Sequence, residues 1–500
     1  MEQKMITGKE IFCSEIQSVN IRDLVKKCRS DNCACDISLR FGELTDLFAH
    51  LYFILDGANY ADYVSIKRSE PDKYGTLDRE IKKRCRAELE RSIVGSCQSF
   101  SIYTDFNTQD ILDLIKQFLA SCRDKYELLL TVTNWLFVLD EFFGQLLESS
   151  SKKRESVFPK PTFRGTLLRK NLNTLSDILF EDEAMVFDPE IELKDEVTSI
   201  YLIRDHGYAV EYHSLSRAVS EKIERYKANP LEMRIAFIPG IMSSLDQFEW
   251  DIYETEQGNL FRLKDILIEG YRERINSFLT EVMDKSPDLI IFPELSAPID
   301  LQRSIVQQVI DVDPTMVVIP GSFHVEGQYC GTDDQEGQFY YNYSEIYTGN
   351  ANRCKLFKTH PFILKNGTGF EGKLSVLNGC DSIERIDIKR KLRIIPTPIG
   401  NMAIIICVDL LIGEVEKTLV NHDVKLLIVM ALTGNPAGGQ FELQMKQLGK
   451  KSGTTVFICN NPAFGSVTTT VYFPIRHGIY QGKERPALVE TIGEMLAKTE

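Results

Sequence analysis

The chain has 500 residues, and its 43% hydrophobic and 26% charged content is that of a globular protein able to bury a core without staples. A count of 58 basic against 72 acidic side chains gives a net charge of −14, the opposite of the basic excess that a general nucleic-acid binder carries. This length implies several domains, and the 12 cysteines, spread from Cys13 to Cys459 behind a polar Met1–Asn20, fit free thiols in a reducing cytoplasm better than a secreted disulfide framework.

The first 150 residues read as mainly helical. Leu77, Ile81, Cys85, Leu89 and Ile93 recur every four positions and mark one apolar helix face. The basic residues between them (Lys82, Lys83, Arg84, Arg86, Arg91) read as a solvated face, or else as a partner surface. A second helix is predicted near Gln109–Ala120, capped by Thr108, and a third over Lys125–Glu148, with a turn-rich piece at Ser69–Gly75. The most apolar stretch, Leu128–Phe143, is shorter than the roughly 20 residues of a spanning helix. It also holds Asn134, Asp140 and Glu141, so a buried core helix is expected and no membrane span. Cys28, Cys33 and Cys35 with His50 lack the paired C-x2-C clips of a zinc site, so no metal is expected.

Ser149–Gly165 is a serine-basic-proline run and sets the first boundary, giving a helical domain of unknown role over 1–150. Residues 151–231 read as a mixed α/β connection. Ile200–Arg204 and Tyr208–Tyr212 flank Asp205-His206-Gly207 like a hairpin, and Leu215, Val219, Ile223 and Tyr226 mark a short helix. From 232 to 500 short β-branched runs alternate with helical patterns. The runs are Ile235–Ile238, Leu289–Phe292, Met316–Ile319, Leu392–Ile395, Met402–Ile406, Val424–Met430 and Thr455–Ile458; the helices are Leu263–Val282, Ile299–Ile310, Ile412–Val420 and Phe441–Lys451. That rhythm argues for an α/β domain with buried strands.

Three polar residues end apolar segments of this domain: Glu294, Lys358 and Cys407. Each alone reads as a turn carboxylate, a surface lysine or a small buried thiol. Together they are a base, a cation and a nucleophile, the set that thioester chemistry on a C–N bond requires. An unperturbed thiol is only a few per cent ionised at neutral pH, so a carboxylate that takes its proton and an ammonium that steadies an oxyanion both count.

The local contexts resemble the carbon–nitrogen hydrolase (nitrilase) superfamily. Phe292-Pro293-Glu294-Leu295-Ser296 is similar to its glutamate motif, Lys358-Thr359-His360 to its lysine motif, and Gly400–Leu410 with Cys407-Val408-Asp409 to its nucleophile motif. Arg234–Ile238 resembles the first strand of that family, and Val456–Asn461 the last core strand with its asparagine. The resemblance covers about half the chain. It implies an α-β-β-α sandwich that assembles into homo-oligomers and needs no cofactor. It makes Cys407 the nucleophile and Glu294 the general base, with Lys358 stabilising the oxyanion together with the Val408 N–H. Asp409 is a supporting residue. A second glutamate between lysine and cysteine is expected, with Glu371 the first candidate and Glu384 also in the interval.

Ala297-Pro298 after the glutamate, Pro361 after His360 and an expected short stretch after Asn461 depart from the pattern. Cys-Val-Asp resembles amidase branches more than nitrile-cleaving ones. The expected function is therefore a cytoplasmic hydrolase of a non-peptide C–N bond, with a small-molecule amide favoured over a nitrile. A catalytically silent scaffold and an acyltransferase are the alternatives. Residues 1–230 are the expected docking region for any protein partner.

Overall fold

The structure, a computed structural model, describes residues 44–94 except 56–57; 115, 117 and 121–149 except 123; 160–162, 165–169, 193–203 and 208–239; and 244–499 except 256–257, 328–339, 351–352, 366, 368–371, 465–466, 477 and 484–487. The chain divides into two compact units, Met1–Leu172 with Asp188–Arg204 and Asn173–Phe187 with Asp205–Glu500. The division runs differently from 1–150, 151–231 and 232–500. Strand Ile200–Ile203 belongs to the smaller unit, and strand Ala209–Tyr212 to the larger.

In the smaller unit, helices Leu44–Leu55, Ala58–Ser69, Pro71–Val94 and Lys125–Ser149 accompany a three-stranded antiparallel sheet of Lys160–Thr162, Gly165–Arg169 and Ile200–Ile203. The four-residue spacing works as read: Ile81, Cys85 and Leu89 are buried. Ser69–Gly75 is no turn-rich piece, because Pro71 opens a helix, a position where its missing N–H costs nothing. The basic face is partly engaged, with Lys82 and Arg86 both pairing with Glu141 on helix Lys125–Ser149. Trp135, Leu136 and Leu139 of that helix are fully buried, as the apolar run demands. Two of its buried polar residues reach other elements: Asn134 donates to Asp78 at 2.7 Å, and Asp140 accepts the backbone N–H groups of Thr198, Ser199 and Ile200. No described helix is long and apolar enough to cross a membrane. Most of Gln109–Ala120, and Cys28, Cys33 and Cys35, lie outside the described residues.

The expected hairpin around Asp205-His206-Gly207 does not form. Ile200–Ile203 pairs antiparallel with Gly165–Arg169, while Ala209–Tyr212 pairs in parallel with Lys391–Thr397. Local turn chemistry lost to partners distant in sequence.

The larger unit is built on two sheets. Seven strands run in the order Gly478–Lys483, Val467–Phe473, Thr455–Asn460, Val424–Ala431, Gly400–Ile406, Lys391–Thr397 and Ala209–Tyr212. Four run in the order Leu488–Thr491, Arg234–Phe237, Leu289–Ile291 and Val317–Ile319. One core cluster joins both sheets, with Phe237, Ile291 and Ile319 packed with Ile404, Ile428 and Phe457. Helices Gly413–Asn421 and Gly439–Ser452 add Val415, Leu419, Met445 and Leu448 to it. A second cluster lies on the opposite face of the four-stranded sheet. There Ala236, Ile290 and Val318 meet Ile275, Leu279, Ile305 and Val309 of helices Tyr271–Met283 and Ile299–Val312. Ile235 and Phe237 thus face one core and Ala236 the other, the period of two that a strand imposes.

Two further sheets border the site. Strands Phe323–Glu326, Tyr340–Ile346 and Cys354–Phe357 form an antiparallel three. Strands Phe248–Thr255, Gly258–Ile266, Ser382–Glu384 and Ile363–Leu364 form a four. Helix Leu263–Val282 is thereby corrected: its first residues are a strand, alternating in burial, and the helix starts at Tyr271 after Gly270 at φ 66°. The stretch after Asn461 is not short either, since two strands of the seven-stranded sheet follow it.

Candidate active site

Cys407 sits where strand Gly400–Ile406, buried at every position, breaks into a single 3-10 turn over Cys407–Leu411. Its φ is 49°, in the left-handed region that disfavours side chains. The sharp turn ends the ladder and sets the thiol at the head of the strand, 6% exposed.

Glu294 follows strand Leu289–Ile291 through Phe292-Pro293 and is 2% exposed. Leu295 has φ 53°, another tight turn, held where Ser322 Oγ accepts the Leu295 N–H at 3.3 Å. Gly321, at φ 84°, lets the two loops close, since a Cβ there would lie 2.8 Å from the Pro293 carbonyl oxygen. Lys358 leaves strand Cys354–Phe357 and is 2% exposed, with its N–H on the Asn342 carbonyl at 2.9 Å.

These side chains share one network. Lys358 Nζ donates to Glu294 Oε1 at 2.7 Å and to Glu384 Oε2 at 2.6 Å. Asn342 Nδ2 donates to Glu294 Oε1 at 2.9 Å and to Glu384 Oε1 at 3.1 Å. The Phe362 N–H donates to Glu384 Oε2 at 2.8 Å. His324 completes the ring: Nδ1 accepts the Leu263 N–H at 2.7 Å, so the proton lies on Nε2 and is donated to Glu384 Oε1 at 2.8 Å. The histidine is then neutral, and the network holds two carboxylates against one ammonium.

Burial pushes the Glu294 carboxyl above its ordinary range, with Lys358 pulling against it. Burial and then the Glu294 charge push the Cys407 thiol well up, so it rests as a thiol with its acceptor beside it. Burial works against the Lys358 ammonium, but Glu294 and Glu384 outweigh it and raise its pKa. Burial would also raise Glu384, yet Lys358 and the hydrogen bond from His324 hold it well below the usual value. Two carboxylates on one lysine are thus driven apart, Glu294 toward proton exchange and Glu384 toward a fixed charge.

Of the sequence candidates, the structure brings Glu294, Lys358 and Cys407 around one cavity that Val408 also lines. Asp409 is 1% exposed and points away from the network to the segment after Lys358, where it receives the Thr359 N–H at 3.0 Å and hydroxyl at 2.8 Å. Glu371 lies outside the described residues, and Glu384 is the glutamate found on Lys358. Sequence reading passed over His324 and Asn342, whose neighbours in the chain carry no site signal. Asn460 braces the loop beside the cysteine, accepting from the Thr433 N–H and donating to the Thr433 carbonyl, both at 2.9 Å. Asn461 donates to the Glu294 carbonyl at 3.2 Å. Among the described residues no cluster could hold a metal ion.

No family model matches this chain, and no curated protein matches it. Its neighbours among solved structures include nitrilase-superfamily proteins. They include Saccharomyces cerevisiae Nit3, a member of branch 10 of that superfamily, at 14% identity over 53% of this chain and 92% of its own, with a TM-score of 0.35. An amidase from Nesterenkonia sp. aligns at 11% identity over 52% and 90%, with a TM-score of 0.33. A glutamine-dependent NAD+ synthetase from Acinetobacter baumannii aligns at 12% over 51% of this chain, with a TM-score of 0.34, and this chain spans 45% of the synthetase's length.

Proposed function

We propose that the larger unit hydrolyses a non-peptide C–N bond, an amide in preference to a nitrile, through a thioester on Cys407. The observation that carries this reading is a thiol on a strained turn facing a carboxylate whose proton affinity is raised and an ammonium that stays charged. Glu294 takes the thiol proton as sulfur attacks the amide carbon. Lys358 and the Val408 N–H meet the oxygen that becomes negative. The tetrahedral adduct collapses, the C–N bond breaks, and Glu294 returns the proton to the leaving amine. Water, deprotonated by Glu294, then attacks the thioester and releases the acid and the thiol. Glu384, His324 and Asn342 hold Lys358 and Glu294 in place.

The packing of the two sheets between helices is read as the α-β-β-α sandwich that the sequence resemblance implies. A homo-oligomer, a cytoplasmic setting and a partner-docking role for residues 1–230 complete the proposal.

The test is ammonia release from a panel of amides and nitriles. Turnover that is abolished in Cys407→Ala supports the reading, and equal rates for wild type and Cys407→Ala on every compound would sink it. Added hydroxylamine separates acyl transfer, which gives a hydroxamate, from hydrolysis, which gives the acid.

A further inference from the structure

The cavity in front of Cys407 has a volume of about 210 Å³, and its wall is chemically one-sided. Glu294, Lys358, Glu384 and Cys407 occupy the floor. The rest of the lining is largely apolar: Trp250 and Phe261 come from strands Phe248–Thr255 and Gly258–Ile266, Phe362 immediately precedes strand Ile363–Leu364, and Leu374, Leu377 and Phe441 extend it. The three aromatic rings meet edge to face in a row, with centroids 6.0 Å apart for Trp250–Phe261 and 6.5 Å for Phe261–Phe362. The Trp250 indole N–H is already spent on the Leu245 carbonyl at 3.1 Å, so this ring offers the cavity only its hydrocarbon surface.

Charge decides what can enter. Among the described residues lining the cavity, the one cation is Lys358, and it is held between two carboxylates. Among the described lining residues, a substrate bearing its own carboxylate would meet no cation but the doubly paired Lys358, beside two carboxylates. An uncharged apolar group would release water from the hydrophobic side chains of the lining. An apolar cavity of roughly 150 Å³ accepts a benzene ring, so this one has room for an aryl ring or a chain of several carbons beside the amide.

We propose, resting on the hydrolase reading above, that the acyl side of the substrate is an uncharged apolar group, aryl or medium-chain alkyl, and that Trp250, Phe261 and Phe362 select it. Short amides and ω-carboxylated amides are then poor substrates.

The experiment compares acetamide, butyramide, hexanamide, phenylacetamide and glutaramate by ammonia release. Alongside it, hexanamide and glutaramate binding to Cys407→Ala is measured by calorimetry. We expect kcat/KM to rise roughly tenfold for each two methylenes, following the transfer energy of a CH2 group, with glutaramate the slowest. Phe362 is 38% exposed, which leaves room for a polar side chain to reach solvent. Phe362→Arg should lower the hexanamide rate at least tenfold and raise that of glutaramate, at an unchanged thermal midpoint. Turnover that favours acetamide or glutaramate overturns this inference and leaves the hydrolase reading standing. No turnover, with Cys407→Ala still binding hexanamide over glutaramate, overturns the hydrolase reading and upholds the apolar recognition. Equal binding of the two ligands overturns the inference whatever the turnover.

Discussion

Thr359 gives both its N–H and its hydroxyl to the buried Asp409 carboxylate, at 3.0 and 2.8 Å. The residue after the lysine is thereby fastened to the residue two beyond the cysteine. In the proposed mechanism this clasp ties the segment that carries the oxyanion donor to the one that carries the nucleophile. A misplacement of about 1 Å in such a site costs on the order of 10²-fold in rate. Asp409→Ala should therefore lower kcat about 100-fold with KM little changed, and Thr359→Val, which keeps the backbone bond, should lower it less. Steady-state kinetics on any amide that the wild type turns over checks both.

The pH dependence follows from Glu294. It must be ionised to accept the thiol proton, and burial raises its pKa above the ordinary glutamate value. Activity should be lost as pH falls, with its midpoint above that of an exposed glutamate. The alkaline side should stay flat through the ordinary lysine range, because the pKa of Lys358 is raised as well. Glu294→Gln should remove the acid limb along with nearly all turnover. A kcat/KM profile from pH 4 to 10, paired with the rate of Cys407 alkylation, reads both limbs.

Glu384 makes stability, too, fall with pH, but over a lower range. Its folded-state pKa lies below its unfolded value, so its stabilisation is present above the ordinary glutamate pKa and is lost as pH falls toward the depressed one. Glu384→Gln breaks a buried pair at 2.6 Å, a change that costs about 3–5 kcal/mol in such settings. The difference between wild type and variant in urea unfolding should be largest near pH 7 and shrink in acid. Equal differences at both ends would contradict it.

What was legible and what was not divides along sequence distance. Ile404-Ile405-Ile406 followed by Cys407 reads as a buried strand ending in a polar residue because all the information is local. Glu294 after Phe292-Pro293 is legible for the same reason. His324 and Asn342 were invisible: they meet Glu384 across 60 and 42 residues, and only the folded sheets bring them together. Residues 263–266 were misread because Leu263 fits a helical spacing when read with Tyr271 and Ile275, whereas it is buried on the same strand face as Phe261, with Arg262 between them turned the other way. The hairpin around Gly207 failed because turn residues mark where a chain can reverse, not which strand it will pair with.

The smaller unit allows a test free of catalysis. Asp140 accepts from Thr198 N, Thr198 Oγ1, Ser199 N and Ile200 N. Asp140→Ala strands three backbone donors at the start of a strand, each costing roughly 1–3 kcal/mol when left without a partner. Trp135 and Trp250, the two tryptophans of the chain, lie in different units. In a Trp250→Phe background, Trp135 fluorescence should report an earlier urea midpoint for Asp140→Ala and an unfolding free energy lower by several kcal/mol.

The left-handed turn at Cys407 has a consequence for folding as well as for chemistry. A non-glycine residue held there costs about 1–2 kcal/mol that glycine would not. Of two inert variants, Cys407→Gly should melt higher than Cys407→Ala, although glycine destabilises most other positions. The fold is therefore less stable at its proposed nucleophile than it could be, and selection for thermal robustness alone would be drawn toward the loss of that cysteine.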